Sequence, residues 1–294
     1  MEPMFTAMNG EFVATQVLNG LSYAALLFFL ASGLTIIFGL MNVANLAHGS
    51  IYLLGGLVGL SVMVATGKFW LAIPAGALAA AAAGLVVERG LLRRVRGQEL
   101  PEVLLTLGIA LVISDLATAF WGTRSTAMPR PDSLSGEFAV GGFSYPRYHL
   151  FVIGCAVVVG LGLRLLHRRT KFGALVRAGV DDREMVTALG VDINRVFTGT
   201  FAFGSLLAGA GGVIGGAVLG LQPGEEMQIL LLALAVIIIG GVGSLAGAAI
   251  GSIFVGLVTV FGRTYLPELS FFTLFAPMAL VLMIRPQGLL RRAA

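Results

Sequence analysis

Three polar residues spaced by three, Asn42, Asn45 and His48, stand at the junction of two apolar runs. That spacing places them along one side of a helix. Polar groups at membrane depth are costly unless they are paired or face a water-filled cavity. The trio therefore either lines a solute pathway or forms a hydrogen-bonded helix junction. Asp115, beside Ser114, is the carboxylate that falls well inside an apolar run. It is expected to face the protein interior with a partner, either holding a helix interface or meeting a substrate ammonium group. A proton relay would need further titratable residues in the apolar runs. These residues and Cys155 make no recognisable metal-ligand set. No G-x-x-x-x-G-K-[ST] phosphate loop is present, because both lysines, Lys68 and Lys171, lie outside that pattern. A nucleophile, base and oxyanion constellation is also missing. The chain is thus expected to be no enzyme, with no cofactor or metal of its own.

The elements that must position these groups are membrane helices. Hydrophobic residues make up 57% of the 294 residues, charged residues only 12%, and the mean hydropathy is +0.94. A soluble domain carries about 25% charged residues, so this chain cannot cover a water-facing surface. The fold class is all-α and polytopic. A hydrocarbon core needs roughly 20 apolar residues per helix. Candidate spans are Gln16–Leu40, Leu46–Thr66, Phe69–Val87, Glu102–Trp121, Tyr148–Leu166, Val196–Leu219, Met227–Gly240, Leu245–Phe261 and Phe271–Ile284, about nine in all. The seventh and ninth are short. The 41 glycines suit closely packed or broken helices. IIFGLMNVANLAHGSIYLLGG (Ile36–Gly56) echoes IIIGGVGSLAGAAIGSIFVGL (Ile237–Leu257), a parallel internal repeat or a chance of composition. The Gly240–Gly251 stretch reads as a turn or a broken helix. Cys155 has no partner for an intrachain disulfide, and no cleaved signal peptide is expected, the first basic residue being Lys68.

One polar island, residues 167–195, holds ten of the chain's 34 charged residues. The segments around Arg89–Leu100, His167–Arg195 and the tail from Arg285, with Arg164, carry 14 of 19 basic residues. Nine alternating spans put all three on one side, which the positive-inside rule makes cytoplasmic, with the N-terminus outside and the C-terminus inside. The net charge of +4 is a topology signal, not a nucleic-acid footprint. Within the island, Asp181 reads as an N-cap and Glu184 completes a capping box. A short helix follows over Asp182–Leu189, and Gly190 supplies a left-handed stop. Met185, Ala188 and Leu189 would share one side of it. The helix rests on headgroups or docks a soluble partner, and Asp181, Asp182 and Glu184 favour the partner, because anionic lipids repel them. Arg124, Arg130 and Arg147 in the Gly122–Arg147 connection, and Glu225 and Glu226, are either solvated loop charge or orienting charges for a partner.

The island segment RAGVDDREMVTALGVDINRV resembles the cytoplasmic loop of permease subunits of branched-chain amino-acid ABC importers. GLTIIFGLMNVANLAHGSIYLLGG, VLLTLGIALVISDLATAFWGT, IIIGGVGSLAGAAIGSIFVGL and the terminal RPQGLL are similar to further landmarks of that family, so the resemblance covers nearly the whole chain. NLAHG looks like the first of the family's two permease types. Ser50 departs from the pattern, since many members carry an acidic residue after His-Gly. The resemblance implies a single transmembrane permease domain over 1–294, with residues 167–195 as a cytoplasmic loop holding the coupling helix. Arg177, Asp181, Asp182, Glu184, Met185, Leu189 and Gly190 would meet an ATP-binding subunit, and Asn42, Asn45, His48 and Asp115 would lie nearest the substrate path. It also implies two ATP-binding subunits that bind the ATP and Mg, a second homologous permease or a copy of this one, a periplasmic or lipoprotein substrate-binding protein, and the bacterial inner membrane. Cargo would be branched-chain amino acids or related small amides and carboxylates. The alternative from another class is an ion- or proton-coupled secondary carrier.

Overall fold

Apolar runs broken by short polar or glycine-bearing turns give helices at each of the expected positions in the computed structural model, which describes residues 10–41, 45–140, 143–269, 272–285 and 287–290. The helices are α1 (Gly10–Met41), α2 (His48–Thr66) and α3 (Phe69–Val87), the last continued by a π-helical turn at Glu88–Leu92 and the short α4 (Arg93–Val95). Then come α5 (Glu99–Trp121), α6 (Arg147–Arg169), α7 (Lys171–Asp181), α8 (Arg183–Ala188), α9 (Ile193–Gly216), α10 (Glu226–Gly240), α11 (Leu245–Tyr265) and α12 (Phe272–Ile284). Among the described residues seven helices are long and apolar enough to cross a membrane: α1, α2, α3 with its continuation, α5, α6, α9 and α11. At 15 and 13 residues, α10 and α12 fall short of the roughly 20 a straight crossing needs. The fold is an all-α polytopic membrane protein.

The centre is built from α1, α2, α3 and α9, with α11 and α10 laid against α1. Glycine makes this density achievable. A Cβ on Gly55 of α2, Gly76 of α3 or Gly209 of α9 would overlap the backbone of a neighbouring helix, so the three backbones meet directly. Around that seam lie fully buried Phe29, Leu30, Leu34, Ile51, Leu53, Phe201 and Val213. By contrast α5 and α6 are peripheral, with Leu104, Leu111, Val112, Phe120, Val158 and Leu161 all more than half exposed.

The connection from α5 to α6 folds where sequence reading placed only a loop. Strands β1 (Glu137–Val140) and β2 (Phe143–Pro146) pair antiparallel. The same connection is pinned to the bundle: Thr126 bridges Leu221, Met128 N–H donates to the Gly216 carbonyl at 3.0 Å, and Tyr145 OH donates to Asn19 Oδ1 at 3.0 Å.

The Gly240–Gly251 stretch is a turn followed by the first residues of α11. Gly241 and Gly243 adopt φ of +108° and +76°, and Ser244 caps α11 by accepting the Gly247 N–H at 3.0 Å. The two echoing segments therefore share a helix–turn–helix order. Their packing differs, since α10 and α11 lie side by side whereas α1 and α2 barely touch and each packs on α9 instead.

Candidate functional site

The charged island is two helices, not one. Thr170 caps α7 by accepting the Gly173 N–H at 3.1 Å. This helix runs to Asp181, which consequently cannot start the next one. Asp182 is the N-cap of α8, its Oδ1 accepting the Met185 N–H at 2.9 Å. The expected capping box from Asp181 to Glu184 is not formed, because the cap sits one residue later and the third residue beyond it is Met185. Gly190 does take the left-handed turn, at φ +82°. The expected apolar side is also re-sorted. Val186 is the residue that anchors α8, at 5% exposure, while Met185 and Leu189 are 61% and 76% exposed and Ala188 is open as well. Asp182 and Glu184 stand exposed beside them, and Arg177 is half-buried on α7. The result is a short helix outside the spans that shows two large apolar side chains and flanking carboxylates to whatever lies beyond the chain. Leaving such side chains in water is unfavourable, at about 25 cal/mol per Å² of apolar surface.

The polar trio does not share a helix. Asn42 lies outside the described residues. Asn45 sits in the turn before α2, its Oδ1 accepting the Ala47 N–H at 3.1 Å and its carbonyl accepting the His48 N–H at 3.2 Å. His48 opens α2, is fully buried, and donates from Nε2 to the Leu30 carbonyl of α1 at 3.0 Å. Three-residue spacing therefore marked a capped junction instead of a helical stripe. Two polar atoms in it, Asn45 Nδ2 and His48 Nδ1, are buried with no hydrogen-bond partner among the described residues. Ser50 is fully buried and donates to the Ala110 carbonyl of α5 at 3.2 Å. A hydroxyl can donate there, whereas an ionised carboxylate would set two negative oxygens against one another.

Asp115 corrects another expectation. It faces away from the bundle, exposed on α5 among Leu111, Val112 and Leu116, with no hydrogen bond or ion pair among the described residues. Two other carboxylates are buried instead. Glu88 is 0% exposed and Glu102 2% exposed, both at the α8 end of the bundle. Glu102 accepts the Gly97 N–H at 2.7 Å. In sequence they read as helix-end charges, and only their lack of a solvent-facing side, visible in three dimensions, distinguishes them. Among the described residues no cluster of His, Cys, Asp or Glu could hold a metal ion.

Helices of span length surround this arrangement, and a sequence profile described as the permease component of branched-chain amino acid transport systems matches residues 16–284. The chain belongs to this permease family. It is 28% identical to the high-affinity branched-chain amino acid transport system permease protein LivH of Escherichia coli, over 94% of this chain and 95% of that protein. BraD of Pseudomonas aeruginosa, of the same description, is also 28% identical with the same coverage. LivM of Salmonella typhimurium is 26% identical over 89% of this chain but 67% of its own length. No solved structure matches the permease. Membership makes it a transport component and not one of an enzyme family, and gives α8 and the polar groups of the spans a common context.

Proposed function

We propose that this permease is one of two homologous membrane subunits of an ABC importer, carrying branched-chain amino acids or related small amides and carboxylates across the bacterial inner membrane. The observation that carries the reading is the exposed Met185–Leu189 pair on α8, set outside the spans and flanked by acids. Apolar side chains one helical turn apart are suited to a groove on a soluble subunit, and the neighbouring carboxylates disfavour the anionic membrane surface as the alternative occupant. With the basic segments cytoplasmic, α8 lies on the ATP side, the N-terminus outside and the C-terminus inside. ATP and Mg are then bound by two separate ATP-binding subunits, since this sequence carries no phosphate loop. The near full-length correspondence with LivH, against two thirds of LivM, supports the first-permease role, with a LivM-like chain or a second copy beside it. A substrate-binding protein delivers cargo at the α5–α6 hairpin end.

In this reading Asn42, Asn45, His48 and Asp115 lie nearest the path. The support from Asn45 and His48 is their pair of buried nitrogens with no partner among the described residues, which opening of the α1–α2 junction would hydrate. Nothing in the geometry favours the ion-coupled carrier. The test is association with the ATP-binding subunits in detergent. Glu184→Arg and, separately, Leu189→Asp should reduce co-purification at least ten-fold while the permease still inserts. Full co-purification of both variants, with normal uptake in cells, overturns the docking role of α8.

A further inference from the structure

Glu88 is a buried carboxylate with no part in docking or in the solute path. It sits on the π-helical turn that continues α3, a local device frequent at functional sites. Both its oxygens are engaged. Thr198 Oγ1 donates to one at 2.5 Å, and the Arg96 guanidinium is ion-paired with the other. Arg96 also donates to Asn194 Oδ1 at 2.5 Å, and its guanidinium carbon lies 4.2 Å from the centre of the Phe197 ring. Asn194, Phe197 and Thr198 all belong to the first turns of α9. The π turn that continues α3, the residue that ends α4 and the start of α9 thus converge on one ion pair.

The position of that pair matters more than its strength. α8 ends at Ala188 and α9 begins at Ile193, so residues 189–192 alone separate the docking helix from the clamp. Val186 is packed inward, and the Val191 N–H donates back to its carbonyl at 3.3 Å, tying the end of α8 to the start of α9. Beyond the clamp, α9 runs against α3 through the seam at Gly76 and Gly209, with a further close approach of Gly84 to Ser205. Gly97, next to Arg96, donates to Glu102 on the first turn of α5. A buried ion pair is a poor device for stability, because apolar replacements of similar volume are often neutral or stabilising. Its directional, multiply bonded geometry suits holding two elements in fixed register.

We propose that Glu88 and Arg96 form the joint that passes an ATP-driven displacement of α8 into α3 and α5. They are positioning residues: they meet neither the ATP-binding subunits nor the solute, and they act by fixing the end of α9 to the end of α3. The proposal rests on the docking role of α8. Without the joint, α8 would still dock, but its movement would be absorbed at residues 189–192 and the start of α9.

The test uses the assembled complex, in a Cys155→Ala background, with spin labels on cysteines at Leu78 of α3 and Ile250 of α11, which are 63% and 44% exposed. Label distances are measured without nucleotide and with ATP under non-hydrolysing conditions. Glu88→Gln alone removes the Glu88 charge from beside a largely buried guanidinium and endangers folding, so the deciding variant is the double Glu88→Gln/Arg96→Met, which removes both charges. The expected result is retained co-purification of the ATP-binding subunits with loss of the ATP-dependent distance shift. A shift that persists in the double variant, or that is missing from the unaltered complex, overturns the proposal. So does loss of co-purification in the double variant, since the pair would then be building the docking face. Failure of the docking role itself reads out separately, as full co-purification of Leu189→Asp.

Discussion

At position 209 a single added methyl group has nowhere to go. A Cβ on Gly209 would run into Ala80 and the Gly76 carbonyl of α3, neither of which is the end of a flexible side chain. Overpacking a tight core costs about 1–3 kcal/mol per site, and here the obstacle is backbone. Gly209→Leu is expected to lower the midpoint of thermal unfolding in detergent by several degrees and to reduce insertion yield, whereas Gly108→Leu on α5, where a Cβ meets open space, should change neither. Equal tolerance at the two positions would remove the seam from the account of packing. A second residue reports on the hairpin end. Burial pushes the Tyr145 hydroxyl up from 10.0 to about 12, keeping it protonated and donating to Asn19. A raised value in the folded state means that its contribution is complete below about pH 10 and is lost as the pH climbs through 12. The difference in phenolate absorbance between the wild type and Tyr145→Phe should therefore appear near pH 12, and a transition at pH 10 would show the hydroxyl to be solvated. Composition could announce neither residue. Forty-one glycines all look alike in the sequence, and which of them face a backbone depends on how α2, α3 and α9 pass one another.

At the scale of elements, helix existence was legible because membrane spans leave a long uninterrupted apolar signal. Ends were less so, since two adjacent aspartates offer equally good caps. What decides between them is the preceding helix: α7 is itself capped by Thr170 and reaches Asp181, so the first residue free to cap α8 is Asp182. The face of α8 is set by packing as well: Val186 is turned inward and Met185 outward. This assignment has a consequence for docking. Losing an N-cap costs about 1 kcal/mol, and α8 has only six residues to absorb it. Asp182→Ala should weaken affinity for the ATP-binding subunits by about five-fold, with Asp182→Ser close to wild type because a hydroxyl can cap as well. If alanine and serine behave alike in a titration of the permease with its ATP-binding subunits, capping does not set the docking geometry.

For the whole molecule, family membership, the spans and the basic asymmetry all stood in the sequence, but the direction in which each span faces did not, and Asp115 is where that omission matters. A carboxylate in hydrocarbon lacks donors and pays a penalty of about 2.5–3.5 kcal/mol at mid-membrane. In the proposed pair of permease subunits, such a group is satisfied from outside its own chain. Asp115 lies about two turns from the Trp121 end of α5, and Leu104, Leu111 and Val112 extend the same exposed face. That face should abut the second permease subunit, or the wet path between the two, instead of acyl chains. In a Cys155→Ala background, Asp115→Cys is expected to cross-link to the neighbouring permease with a short bis-maleimide, while Val158→Cys on exposed α6 serves as the comparison. Asp115→Leu should lower recovery of the paired complex several-fold without affecting insertion of the single chain. Should Asp115→Cys fail to cross-link, and Asp115→Leu assemble and transport as well as the wild type, the α5 face belongs to lipid and the carboxylate is a tolerated expense at the membrane edge.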